Sequence, residues 1–178
     1  MTGVPIKQYE KIVPDAYHGT DLASAENIVA TRTFVPSNGE DDYLGEGIYF
    51  FEGSEWHARD WAKRKAKGKP VGTICAFINL GRCLDLSNKE HRDFLRKIAL
   101  KLVTERRVPQ VSDALVINFV TVTFKGRVDT VRAVYCNPNY REGAKIFPGS
   151  RFYDYSQLMI CVKNPRCILD ISMAYMGG

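Results

Sequence analysis

The order of apolar and polar positions predicts short strands set between amphipathic helices. A strand over 15–20 runs into a turn, and Leu22, Ala25, Ile28 and Val29 then mark the apolar stripe of a helix over 22–31, capped by Thr20 or Asp21. Residues 34–43 are polar, with Pro36, Asn38 and Gly39 as turn residues, and a short β segment follows over 47–51. Ser54 reads as the N-cap of a second helix that starts at Glu55, reaches about Lys67 and stops at Gly68. Trp56, Ala58, Trp61, Ala62 and Ala66 supply its apolar contacts.

The run Thr73-Ile74-Cys75-Ala76-Phe77-Ile78 predicts a strand over 72–80, closed by Leu84-Asp85-Leu86. Ser87-Asn88-Lys89-Glu90 fits a capping box for a third helix, which continues through Phe94, Leu95, Ile98, Leu102 and Val103 to about Arg106. A helix is expected over 113–119, while 129–135 fits helix or strand. Loop signals at 137–143 and 147–150 precede a strand at 158–162 and a last one at 167–171. Strands before, between and after the helices predict an α+β fold.

With 178 residues, 45% of them hydrophobic and 11% aromatic, the chain holds enough apolar material for one buried core. No repeat or long linker divides it, so a single domain over 1–178 is expected. No apolar run nears the roughly 18 residues a membrane-spanning helix needs. The first residues lack the basic-then-apolar order of a signal peptide, so a cytoplasmic protein with no membrane partner is expected. Five cysteines, Cys75, Cys83, Cys136, Cys161 and Cys167, form no CxxC pair and predict buried free thiols. His18, His57 and His91 lack metal-ligand spacing, so no metal is expected.

Lys and Arg outnumber Asp and Glu by 25 to 20, and part of that excess is gathered. Arg59, Lys63, Arg64, Lys65, Lys67 and Lys69 crowd the second helix and its end, and a looser group runs from Arg92 to Arg107. Solvated helix faces account for such runs, and so does a polyanionic partner. If the partner is RNA or DNA, Arg59, Lys63 and Arg64, with Lys145 and Arg151 of a late loop, are the residues expected to meet it.

The chemistry-bearing residues fall early in the chain. Tyr17-His18-Gly19-Thr20 is followed, a helix and a loop later, by Gly45-Glu46-Gly47-Ile48-Tyr49-Phe50, and then by a helix carrying Ala58 and Trp61. In order, spacing and residue type, residues 15–62 resemble the catalytic region of the poly(ADP-ribose) polymerase and diphtheria toxin group of ADP-ribosyltransferases. The resemblance implies an ADP-ribosyltransferase-like fold of two small packed antiparallel sheets flanked by helices, with NAD⁺ as the substrate. It implies that Gly19 lets main-chain N–H and C=O groups reach the nicotinamide carboxamide, because a glycine has no side chain in the way. Tyr49 and Trp61 would stack on the ring, each contact worth about 1 kcal/mol. His18 would hydrogen-bond a ribose hydroxyl, and Thr20 would support the turn. Taken singly, each of these residues also fits an ordinary packing role.

The same group often carries a glutamate on a late strand, where it binds the ribose and stabilises positive charge as nicotinamide departs. Here the strand reads Tyr155-Ser156-Gln157-Leu158-Met159, with Gln157 at the expected place. Glutamine cannot act as a base but can hydrogen-bond a hydroxyl, which implies transfer of single units rather than chain building. Gln157 and Met159 share one strand face, so the register leaves both positions open. An acid supplied from elsewhere would be Glu142 first, then Asp154 or Glu52.

The expected function is an NAD⁺-dependent mono-ADP-ribosyltransferase acting on a macromolecule, nucleic acid ahead of protein. Small stand-alone domains of this kind resemble toxin or phage-defence effectors, for which a neutralising antitoxin is a candidate partner. The rivals are an NAD⁺ glycohydrolase and a non-catalytic module that binds ADP-ribosyl groups or nucleotides. An RNA 2′-phosphotransferase, also NAD⁺-dependent, ranks below them because its arginine and histidine set has no clear counterpart in this sequence.

Overall fold

The computed structural model describes residues 5–6, 8–39, 42–105, 110–136, 145–151 and 156–177. Its elements run β1 (Gln8–Asp21), α1 (Leu22–Thr31), β2 (Ile48–Glu52), α2 (Glu55–Ala66), β3 (Val71–Asp85), α3 (Lys89–Thr104), α4 (Asp113–Thr123), β4 (Thr130–Cys136), β5 (Ser156–Val162) and β6 (Ile168–Gly177). Local chemistry sets most of the boundaries. Asp21 rather than Thr20 caps α1, its carboxylate accepting the Ser24 N–H at 3.0 Å. Ser54 caps α2. The cap of α3 is Asn88, which accepts the Glu90 N–H at 2.8 Å, while Ser87 bonds back to Asp85 instead of completing a capping box. The segment that fitted helix or strand is β4, with Val131 and Ala133 buried on one face.

The strands pair in the order β1-β2-β5-β4-β3, and β3 also pairs with β1, so five strands close into a barrel with β6 added against β3. This overturns the expected ADP-ribosyltransferase-like pair of small antiparallel sheets. The cause is β3, which is one continuous strand of 15 residues. Its first half lies between β1 and β6, and its end turns to β4, where Cys83, Leu84 and Asp85 pair in parallel with Thr130, Val131 and Arg132. Two separate antiparallel layers have no such seam.

Alternation along the strands divides the apolar residues into two clusters. On one face Val13, Ala16, Ile48, Phe50, Ile74, Ile78 and Ile160 pack with Ala25 and Ile28 of α1. On the other, Phe51, Leu84, Val131 and Met159 pack with Ala58 of α2 and with Ile117 and Val120 of α4. Cys83, Cys161 and Cys167 are buried free thiols, and Cys75 is a half-buried one.

Charged groups join β2, β3 and β4. Arg132 holds Glu52 through Nε and Nη2 at 2.6 and 2.9 Å and Asp85 through Nη1 at 3.1 Å, and Lys11 stands 3.8 Å from Glu52. The hydrogen bonds to Glu52 raise the Arg132 pKa further above its ordinary value, against the effect of burial. Burial pushes the Asp85 carboxyl up, but hydrogen bonds from Ser87 and the charge of Arg132 more than reverse this and leave it below its ordinary value.

Candidate functional site

β1 and β2 pair only at Ala16 with Glu52 and at Tyr17 with Phe51. Beyond that point residues 18–21 stay paired with β3 on one edge, while the strand beside them on the other edge has parted. A cleft of about 790 Å³ opens in the gap. His18 bridges the start of the split, with Nδ1 2.9 Å from the Tyr49 carbonyl oxygen. A carbonyl can only accept, so Nδ1 carries the proton and the neutral ring leaves Nε2 as an acceptor. Phe34 and Phe50 seat the ring, with centroids 5.3 and 5.7 Å away. Burial pushes the His18 pKa down, and the Tyr49 carbonyl offsets this only in part.

The glycine next to it has a packing role that the sequence did not reveal. A Cβ on Gly19 would stand 1.9 Å from the Ala58 carbonyl oxygen, so β1 and α2 touch main chain to main chain. The main chain of Gly19 still lines the cleft, as does Thr20.

Tyr49 presents its ring to the cleft and spends its hydroxyl elsewhere. That hydroxyl donates to the Gly45 carbonyl at 2.6 Å and accepts the Leu44 N–H at 3.0 Å. Lys163, just past β5, donates to the Leu44 carbonyl at 2.7 Å and to the Glu46 carbonyl, and Asn118 of α4 accepts the Glu46 N–H at 2.8 Å. Gly45 itself has φ +74°, and a Cβ there would stand 2.2 Å from Asn118 Oδ1. The Gly45-Glu46-Gly47 motif therefore builds a turn seated from three sides.

Trp61 lines the cleft from α2, with Lys65 Nζ 4.9 Å and Arg64 Cζ 5.6 Å from its ring centroid. These cations make the α2 wall electropositive. Gln157 and Met159 line the cleft from β5. Gln157 pairs across the sheet with Tyr135, whose ring stacks on Tyr43 at 4.5 Å. Of the other acids named from sequence, Glu52 is held by Arg132 and is not among the lining residues, while Glu142 and Asp154 lie outside the described residues.

The basic residues expected to meet nucleic acid separate. Arg59 lies over the Tyr175 ring of β6 at 4.6 Å, Lys63 is exposed, and Arg64 pairs with Asp60 at 2.9 Å beside the cleft. Lys145 and Arg151 are not among the lining residues.

Sequence reasoning missed Asp42. It is a buried carboxylate in the cleft wall, yet in sequence it reads as the end of a solvated acidic run, Glu40-Asp41-Asp42.

Among known proteins, the Uncharacterized protein MJ0359 of Methanocaldococcus jannaschii is 32% identical to this chain, with 85% of this chain and 83% of that protein covered. The chain belongs to its family. No family model matches the chain, and no solved structure does. The name MJ0359 carries no activity, so function is argued from the cleft. No group of residues suited to holding a metal occurs among the described residues, and none of their helices is long and apolar enough to cross a membrane.

His18 in the cleft and His57 on α2 predict a pH dependence. Burial pushes the His57 pKa down as it does that of His18, and His57 Nε2 has no hydrogen-bond partner among the described residues. Each is harder to protonate folded than unfolded, so stability is full above the ordinary value of 6.5 and is lost as pH falls below it. Carboxylates held below their ordinary value of 3.8 stay ionised through this window. Urea midpoints are expected to fall between about pH 7.5 and 5.5, and His18→Asn with His57→Phe should flatten the slope.

Proposed function

We propose that this chain is a cytoplasmic NAD⁺-dependent mono-ADP-ribosyltransferase. The supporting observation is that His18, Gly19, Thr20, Tyr49, Trp61 and Gln157, drawn from four elements, line one cleft. Its volume of about 790 Å³ suits a dinucleotide. Nicotinamide lies on the Tyr49 ring, and His18 Nε2 accepts a hydrogen bond from a ribose hydroxyl. The cations over Trp61 make that wall a poor place for a cationic ring and a good one for the pyrophosphate, so Trp61 serves the other half of NAD⁺. The nicotinamide–ribose C–N bond breaks with its electron pair leaving on nicotinamide. The acceptor then bonds the ribose carbon and loses its proton to water. Gln157 can hydrogen-bond a hydroxyl without acting as a base, which suits transfer of single units. Nucleic acid is the favoured acceptor on the excess of Lys and Arg over Asp and Glu, 25 to 20, with Arg64 the one basic residue named for it that lines the cleft.

Incubation with labelled NAD⁺ and separate pools of RNA, DNA and protein is expected to release nicotinamide and to label nucleic acid with single ADP-ribose units. Label confined to protein would overturn the acceptor. Free ADP-ribose formed at the same rate without any macromolecule would make the chain a glycohydrolase. Tyr49→Ala is expected to weaken NAD⁺ binding by about tenfold or more, through the lost stacking and the freed turn. Unchanged NAD⁺ affinity in that variant would sink the placement of nicotinamide.

A further inference from the structure

Breaking the nicotinamide–ribose bond moves positive charge onto the ribose, yet the late-strand position carries the neutral side chain of Gln157. We propose that Asp42, in the loop before β2, is the carboxylate that faces this charge. The inference rests on the NAD⁺ reading above.

Asp42 is 7% exposed and lines the cleft. Among the described residues its carboxylate has one hydrogen-bonding partner, the Ser37 hydroxyl, 2.8 and 2.9 Å from its two oxygens. A hydroxyl has one proton to give, whereas a carboxylate offers about four lone-pair sites. Leaving most of that capacity unused in a buried position is unfavourable, and a ribose hydroxyl in the cleft would meet it.

The other carboxylate in the lining is already engaged. Asp21 accepts the Ser24 N–H at 3.0 Å and the Ser24 hydroxyl at 2.7 Å as the cap of α1. Asp42 thus combines burial, a cleft-lining position and spare acceptor capacity.

Its position is set by the same turn that carries the Tyr49 hydroxyl. The Asp42 carbonyl accepts the Gly45 N–H at 2.8 Å, and Ser37 exchanges main-chain hydrogen bonds with Gly47 at 2.8 and 3.0 Å. The carboxylate and the Tyr49 ring are therefore fixed relative to each other. Arg64 and Lys65 enter from α2, a separate wall. The cleft is polarised accordingly, with pyrophosphate drawn to the α2 cations and the ribose, where positive charge develops only as the C–N bond breaks, set toward Asp42.

In the reaction Asp42 forms no bond. The electron pair of the C–N bond leaves with nicotinamide, which becomes neutral, while the ribose ring takes up the positive charge beside the carboxylate. The acceptor then bonds the ribose carbon and releases its proton to water.

The test compares wild type, Asp42→Asn and Asp42→Glu for nicotinamide release, in the presence of the pool that accepts label, together with NAD⁺ affinity from a calorimetric titration. Asp42→Asn keeps the shape and still accepts from Ser37 but lacks the charge. It is expected to lower kcat about a hundredfold while NAD⁺ affinity stays within about threefold. Asp42→Glu, longer but charged, is expected to be at least about tenfold faster than Asp42→Asn. A purely structural role for Asp42 predicts the reverse order, with asparagine tolerated and glutamate not, and that order overturns the proposal. Should Asp42→Asn not fold, Asp42→Glu decides: turnover within about tenfold of wild type supports the role, and a loss beyond about a hundredfold overturns it. Wild type that neither binds nor cleaves NAD⁺ overturns the functional reading and this inference with it. Wild-type turnover matched by Asp42→Asn overturns the inference alone.

Discussion

Gly19→Ala is expected to destabilise the fold by about 3 kcal/mol, lowering the melting temperature by roughly 6–12 °C in a chain of this size. The added methyl group meets the Ala58 carbonyl oxygen at 1.9 Å, and both partners are main chain. No side-chain rotation relieves the clash, so α2 must lift from β1. Trp61, Arg64 and Lys65 would lift with it, and NAD⁺ binding is expected to fail in the same variant. A melting scan read beside a binding titration separates two roles for the glycine. If Gly19→Ala melts like wild type and loses only NAD⁺, the residue serves the ligand and the helix contact is not as close as the structure shows.

The second large effect is expected at Arg132. Replacing it by methionine removes the hydrogen-bonding partner of both Glu52 and Asp85, leaving Asp85 without its counter-charge and Glu52 with Lys11 alone, at a cost of about 3 kcal/mol. In wild type the folded pKa of Asp85 is depressed, so its contribution is present above the ordinary value of 3.8 and is lost as pH falls through the folded value. Without Arg132 the two Ser87 hydrogen bonds still favour the ionised carboxylate, but the counter-charge is gone, so the Asp85 pKa moves back up and less of its stabilisation depends on pH. The deficit of Arg132→Met relative to wild type is therefore expected to shrink as the pH is lowered below about 4, in urea denaturation. Adding Glu52→Gln should recover part of it. A deficit that is constant with pH would mean that the loss comes from packing alone.

The elements were legible in the sequence where local chemistry decides them. Ser54 marks the start of α2, and the run Leu158-Met159-Ile160-Cys161-Val162 falls inside β5. The motif residues were legible as a group too, and the structure brings His18, Thr20, Tyr49 and Trp61 to one cleft. Barrel closure was not legible, because it depends on Cys83 meeting Thr130 across two intervening helices, and no local pattern encodes that register. The packing role of Gly19 was hidden for a related reason: a turn glycine, a ligand-facing glycine and one pressed against a helix are the same letter. Asp42 followed two other acids in a polar stretch, and only the fold shows that its carboxylate turns in to Ser37 rather than out to water.

The parallel seam between β3 and β4 sets an order of assembly. β1 and β3 register along most of their lengths, whereas the seam consists of three residue pairs and must close a loop containing α3 and α4. So few main-chain bonds do not offset the entropy of closing so long a loop. What completes it is the burial of Leu84 and Val131 against α4, with charge on either side: Arg132 between Glu52 and Asp85, and Asp129 bound to Arg82 and Asn164. The barrel wall is therefore expected to close last at this point, with faster amide exchange at Leu84 and Val131 than along the β1–β3 pairing. Until it does, the chain is an open ribbon whose two free edges carry Leu84 and Val131, and crowded or acidic conditions that delay the final charge pairing leave those edges open to a neighbouring chain.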